Sequence, residues 1–297
     1  RDSGALLDGM EENTQEASSF LFGSLKAIGA PPVATIIATG CCETGAKAGL
    51  LSLVSQCEQR IEIVLLVEGG DEVNDALIRI AESDSRIKVI RVLGEGVDSQ
   101  LISNVISGSQ GKYLLFANLG DVYGNCAIDH AVKALEESRA DIAAFWDSCG
   151  ILRCRSLHRE LLMKDPPPRR EGAQVAPVLS PEETKGRILS SSSLYAGNKL
   201  YQRSFLQDRA FNPSSLASVA ASLLDAEAIR PMNEALFEVG SKGSAGFGAN
   251  STDEAELRGD LECLSLHYKK MRSAEEYRKD FVNAVASWLL AGLESSE

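Results

Sequence analysis

The sequence predicts an α/β fold with a mainly parallel central sheet flanked by helices and closed by C-terminal helices. Three observations predict it. Short apolar runs rich in β-branched residues recur at Val33–Thr39, Ile61–Val67, Ile87–Val92, Tyr113–Asn118 and Ile142–Trp146, each too short for a buried helix. Between them lie segments whose apolar residues repeat with a helical period. Strands that alternate with helices in this way return parallel through right-handed crossovers, so helices cover both faces of the sheet. Two further helical stretches, 253–271 and 274–292, end the chain.

In chain order, residues 1–32 read as an acidic helical extension. Its amphipathic stretch (Phe20, Leu21, Leu25, Ile28) is stopped by Pro31-Pro32, which bias the next residues toward extended backbone. The first strand runs into Thr39-Gly40-Cys41-Cys42-Glu43, a small-residue loop whose backbone N–H groups can receive an anion at the start of the next helix. That helix carries Leu50, Leu51 and Val54 on its apolar face. The second strand ends at Glu68-Gly69-Gly70, a turn composition. Helices marked by Val73, Ala76, Leu77 and Ile80, by Leu101, Ile102, Val105 and Ile106, and by Ile128, Ala131, Val132 and Leu135 separate the remaining strands.

Residues 150–195 break the rhythm with a polar excursion containing Asp165-Pro166-Pro167-Pro168-Arg169-Arg170. An apolar segment at Leu194–Phe205 and a helix at Leu216–Leu224 come next. A Gly/Ser-rich stretch, Gly240–Ser251, then leads to the closing helices, with Ser273 and Glu276 spaced as a capping box between them. The organisation read from this is an extension (1–32), a main domain (33–240) and a helical segment packed on it (241–297).

A formal net charge of −12 over 297 residues excludes a role dominated by nucleic-acid phosphates, which needs clustered Lys and Arg. It also disfavours electrostatic docking on an anionic membrane. No run approaches the roughly 18 apolar residues of a membrane span. The chain starts Arg1-Asp2-Ser3, without Met and without a signal-peptide pattern, which reads as a processed or trimmed chain with a lost leader or anchor left open. A cytoplasmic location, with peripheral membrane association left open, is the expectation. Seven scattered cysteines read as reduced, mostly buried thiols rather than a disulfide framework. Cys149, Cys154 and His158 lack the fourth ligand and the close spacing of a zinc knuckle, so plain structural cysteines are expected there.

In parallel α/β sheets, ligands bind beyond the carboxyl ends of the strands. The residues that stand there resemble a known family. Val33–Thr39 is similar to the opening V-S-V-I-I-P-T strand of family 2 inverting glycosyltransferases of GT-A fold, and Ile61–Asp71 to the strand and turn that usually end D-D-G-S. Gly111–Phe116 with Ala117-Asn118-Leu119-Gly120-Asp121-Val122-Tyr123 resembles G-E-Y-I-x-F-L-D-x-D-D-x-Y. Asn198–Leu206 resembles N-K-L-[FY]-R-R-x-F-L, with Phe211 at its usual place downstream. The resemblance spans about residues 33–240 and implies the GT-A, nucleotide-diphospho-sugar transferase fold.

It also implies a chemistry. A sugar leaves a nucleoside diphosphate as charge builds on the β-phosphate, a D-x-D-bound Mg²⁺ or Mn²⁺ neutralises that charge, and a separate carboxylate deprotonates the acceptor. The D-x-D positions here read Asn118-Leu119-Gly120. Gly120 has no ligand to offer, and Asp121 is the candidate metal ligand in its stead. The implied donor-binding set is Thr39, Glu43, Glu68, Gly69, Asn118, Asp121 and Lys199, with Lys199 either paired with an acidic surface residue or facing a phosphate. The helix that usually supplies Arg-Asn reads Ser103-Asn104. The stretch after Phe211 that usually holds the base reads Asn212–Ser218, with no acid before Asp225, the candidate base.

The resemblance leaves two main readings. One is a hexosyltransferase that moves a sugar, with inversion, from a nucleotide sugar such as a UDP-sugar to a glycan, lipid-linked or protein acceptor. The other is a catalytically inactive GT-A protein that binds or scaffolds within glycan assembly. An unrelated doubly wound nucleotide-binding enzyme is a third reading, which the Asn198–Leu206 segment argues against. The closing helices are the candidate surface for a homodimer, although such helices more often pack on their own domain.

Overall fold

The structure is a computed structural model that describes residues 31–40, 45–68, 72–92, 97–147, 188–191, 193–238, 254–271, 275, 277–283 and 285–286. The elements are β1 (Ala34–Thr39), α1 (Ala46–Val54), β2 (Ile61–Glu68), α2 (Glu72–Glu82), β3 (Ile87–Val92), α3 (Ser99–Gly108), β4 (Tyr113–Asn118), β5 (Val122–Tyr123), α4 (Ala127–Ser138) and β6 (Ile142–Asp147). After them come α5 (Ile188–Ser191), a 3₁₀ turn (Ala196–Asn198), β7 (Lys199–Gln202), α6 (Arg203–Gln207), α7 (Leu216–Asp225), β8 (Ile229–Glu238) and α8 (Glu254–Lys270).

One eight-stranded sheet in the order β3-β2-β1-β4-β7-β6-β8-β5 holds them together. The β3-β2-β1-β4 half is parallel throughout, as the βαβ rhythm predicts. β7 runs antiparallel to both β4 and β6, and β6 pairs parallel with β8. β1 and β4 are buried along their whole length. Side chains of β1, β2 and β4 alternate between two cores. Ile36, Ile63, Leu65, Leu115 and Ala117 join α1 and α4 on one face, while Ile37, Val64, Leu66, Leu114 and Phe116 join α3, α6, α7 and Leu264 of α8 on the other. Burying both sides of a strand is what makes these runs read as continuously apolar.

The sequence reading missed β5, β7 and β8. β8 reads I-R-P-M-N-E-A-L-F-E, and an internal Pro argues against a strand. Pro231 is tolerated because β5 pairs only with Phe237 and Glu238, so no described strand covers the outer side of β8 at Pro231.

The cysteine expectation is corrected at one pair. Cys57 and Cys126 form a disulfide across a sequence separation of 69, with Cα atoms 5.1 Å apart, because the end of α1 and the start of α4 meet there. Cys263 is free and exposed. Cys149, Cys154 and His158, the 150–187 excursion, residues 1–30 and the Ser273–Glu276 capping box lie outside the described residues. Among the described residues, no helix is long and apolar enough to cross a membrane.

Candidate active site

The register brings Thr39 of β1 level with Asn118 of β4 at the carboxyl edge of the sheet. The backbone tightens this contact, since Leu119 N donates to Thr39 O at 2.8 Å. Gly40 carries φ +155, and a Cβ there would lie 3.2 Å from Asn118 Oδ1, so glycine lets the β1 exit pass against Asn118. β2 ends at the same edge with Glu68, whose backbone pairs with Val92. The Glu68 side chain, Glu43 and Gly69 lie outside the described residues.

The loop after Asn118 rests on α1. A Cβ on Gly49 would sit 2.0 Å from Leu119 O, so helix and loop touch backbone to backbone. Ser52 Oγ accepts from Tyr123 N at 3.1 Å. Gln56 donates to Gly124 O at 2.8 Å and accepts from Ile128 N at 3.1 Å. With the Cys57–Cys126 link, residues 118–126 are fastened to α1 along their length. None of Gly49, Ser52 or Gln56 was singled out from sequence. They look like ordinary residues of a helix and of the segment that leaves it, and only the loop's path gives them a role.

Asn118 and Asp121 are 3% and 1% exposed, respectively. Asn118 Oδ1 accepts from Gly120 N at 3.2 Å, and Asp121 N donates to Asn118 O at 3.0 Å. The Tyr195 hydroxyl donates to Asp121 Oδ2 and is also hydrogen-bonded to the Asn118 side chain. Burial, followed by the Asp121 charge, pushes the Tyr195 phenol well above its ordinary value, so it stays a protonated donor. Burial and Asp121 likewise raise the Tyr123 phenol, which donates to Gly197 O at 2.8 Å. Tyr123, Phe145, Tyr195 and Phe237 form an aromatic group behind this network, with centroids 5.1 Å apart for Tyr123–Phe237 and 6.0 Å for Tyr195–Phe237.

Two expectations are corrected here. Lys199 is 1% exposed, and its ammonium donates to Ser193 O (2.6 Å), Tyr195 O (2.7 Å) and Asn198 Oδ1 (2.7 Å). An ammonium has three protons, so Lys199 holds the 193–198 loop rather than facing a phosphate.

Asp225 stands at the wrong edge of the sheet for a base. Ile229 pairs with Ile142, Ile142 with Tyr201, and Tyr201 with Leu114 near the start of β4, and Asp225 precedes Ile229 at the end of α7. Its carboxylate bonds His267 Nε2 of α8 at 2.9 Å and lies 3.7 Å from Arg209 Nε. Burial alone would raise this carboxyl, but His267 and Arg209 outweigh it and hold it below the ordinary range.

At the start of α7, where the resembled family carries its base, Asp260 of α8 accepts from Ser215 Oγ and from Leu216 N at 2.9 Å. That carboxylate caps the helix. Glu238 is different. It is exposed at the carboxyl end of β8 and pairs with Val122, next to Asp121. Lys47, exposed in the first turn of α1, stands at the same edge.

No protein-family model matches the sequence, and no curated protein sequence matches it. Solved structures do match. Residues 1–349 of S. aureus TarS in complex with UDP-GlcNAc superpose with a TM-score of 0.64 at 15% identity, over 86% of this chain and 73% of that one. The mannosyltransferase PcManGT from Pyrobaculum calidifontis, in complex with GDP-Man and Mn²⁺, superposes with a TM-score of 0.56 at 12% identity, over 97% of this chain and 81% of that one. The fold is that of the GT-A glycosyltransferases.

Proposed function

We propose that the chain is a glycosyltransferase that takes a nucleotide sugar at the carboxyl ends of β1, β2 and β4. The observation that carries this reading is the pairing of Thr39 with Asn118 at the exit of the parallel half-sheet, in a fold whose solved relatives hold UDP-GlcNAc and GDP-Man. Ligands of parallel sheets bind at this edge. Thr39, the Glu43 loop, Glu68, Gly69 and the Asn118–Asp121 turn border the donor, and Lys47 with the first-turn N–H groups of α1 supplies positive potential to its phosphates. The Mg²⁺ or Mn²⁺ implied by the family resemblance has one remaining carboxylate at its place, Asp121.

The transfer we assign is hexosyl, with inversion, onto a glycan, lipid-linked or protein acceptor, in a cytoplasmic protein. Glu238 is the base in this reading, because it is exposed and adjoins the Asp121 turn. It would take the proton of the acceptor hydroxyl as the nucleoside diphosphate leaves. Leu266 and Val282, 57% and 56% exposed on the closing helices, are the surface we assign to a homodimer.

A second reading, a binding or scaffolding protein without transfer activity, is favoured by the internal satisfaction of Asn118, Asp121 and Lys199. Calorimetry with UDP, GDP and CDP, followed by donor-hydrolysis assays of the wild type and Glu238→Gln, tests both. Nucleotide binding with turnover that Glu238→Gln abolishes supports the transferase. Binding without turnover supports the second reading, and absence of binding to all three nucleotides overturns both.

A further inference from the structure

A divalent cation in a nucleotide site is bound through one or two carboxylates together with phosphate oxygens and water, in near-octahedral geometry. The residues present do not fit that need. Position 118 is an amide, position 120 has no side chain, and the carboxylate at 121 is 1% exposed beneath Tyr195. Among the described residues, no group of three or more His, Cys, Asp or Glu side chains is placed to hold a metal ion.

Tyr195 is not a loose cover. Its backbone N donates to Ser193 Oγ at 3.1 Å and its carbonyl accepts from Lys199. Its ring lies where a Cβ on Gly197 would come within 2.5 Å, so the 3₁₀ turn is folded against it. Gly197 is itself anchored by Tyr123. Freeing Asp121 would mean undoing this whole set together.

We infer that this chain binds its nucleotide donor without a divalent cation, the Tyr195 hydroxyl taking the Asp121 oxygen that a metal ion would need. The inference rests on the nucleotide-sugar reading. It makes the Asn118–Tyr195–Asp121 chain a built-in replacement for the ion: the carboxylate's charge is met by a phenol O–H that never titrates in the working pH range, and the turn is held in one geometry whether or not metal is present. Donor phosphates then meet backbone N–H groups and Lys47 rather than a cation.

The test uses the wild-type protein and two measurements. UDP, GDP and CDP are titrated calorimetrically in excess Mn²⁺ and in EDTA, and Mn²⁺ immobilisation is followed by electron paramagnetic resonance with and without the nucleotide that binds. The expected result is the same affinity within about twofold in both buffers, and a Mn²⁺ signal that equals the nucleotide-only control. Tightening by more than about tenfold in Mn²⁺, or immobilisation of Mn²⁺ beyond that control, overturns the inference and leaves the nucleotide reading standing. Failure of all three nucleotides to bind in either buffer overturns both.

Discussion

The contact between α1 and the site turn can be tested with one methyl group. Gly49→Ala would put a Cβ 2.0 Å from Leu119 O, 2.7 Å from Leu119 C and 2.8 Å from Asp121 O. A carbon–oxygen contact normally sits near ~3.3 Å, so helix and turn must part by about 1.3 Å. The obstacles are main-chain atoms, which cannot swing aside as the end of a side chain can. Inserting carbon into a packed site costs about 1–3 kcal/mol, and rigid neighbours place this case at the upper end. Alanine returns roughly 0.5–1 kcal/mol through helix propensity. The net expectation is a loss of about 2 kcal/mol.

Gly259→Ala supplies the control. Gly259 is an exposed glycine inside α8 with nothing within 4 Å of a built Cβ, so it gains the propensity and meets no obstacle. Urea unfolding followed by circular dichroism should therefore separate the two variants by about 3 kcal/mol at equal m, with Gly49→Ala below wild type and Gly259→Ala above it. The same Gly49→Ala protein should lose nucleotide affinity, because Asn118 and Asp121 move with the turn. If the two variants unfold within about 0.5 kcal/mol of each other, α1 does not carry the turn and the assigned site geometry is wrong.

Further outcomes are expected at three positions. Glu62→Ala should cost about 3 kcal/mol in urea unfolding, because Lys88 (2.7 Å), Thr35 (2.5 Å) and Gln110 N (2.7 Å) all converge on that buried carboxylate. Burial would raise the Glu62 pKa, but these partners hold it below the ordinary 4.5. Its stabilisation is therefore complete above the unfolded value and lost as pH falls through the lowered folded one, so Glu62→Gln should flatten the acid limb of a stability-versus-pH curve below about pH 4. Asp225→Asn should leave nucleotide binding and turnover unchanged and lower stability by no more than about 1 kcal/mol, since the ion pairs are part-exposed; loss of turnover with intact binding would restore Asp225 as the base. Tyr195→Phe should lower stability by about 2 kcal/mol, because Asp121 loses a donor while still buried.

The parallel half of the sheet was legible in sequence because β1, β2 and β4 are buried on both faces and so are written as apolar runs, while the edge strand β3 still keeps β-branched residues at Ile87, Val89, Ile90 and Val92. The antiparallel half was not. β7 is only Lys199–Gln202, with a buried lysine at its head, and β8 contains Pro231 and two acids. In the site, the residues that motif position singled out, Asn118 and Asp121, stand at and just beyond the end of β4. It misread Lys199, because a lysine beside an apolar run looks the same whether it faces a ligand or three carbonyl-type oxygens of its own loop. It misread Asp225 because counting residues downstream of Phe211 does not show that α7 travels back to the far edge. Tyr195 carried no signal at all: its partner is 74 residues away in the chain.

Functional sites usually keep some polar groups under-satisfied, ready for a ligand, and accept the cost in stability. The edge built here runs the other way at its centre. Asn118, Asp121, Tyr195 and Lys199 are all bonded within the chain, and the turn that carries Asn118 and Asp121 is tied to α1 and the residues just after it by Gly49 packing, Ser52, Gln56 and a disulfide. Exposed charged groups lie around that centre: Lys47 in the first turn of α1, and Glu238. A donor held by such a rim depends on backbone N–H groups and on the position of the turn. Substitutions that move the turn should then affect binding more than substitutions that remove a single charge.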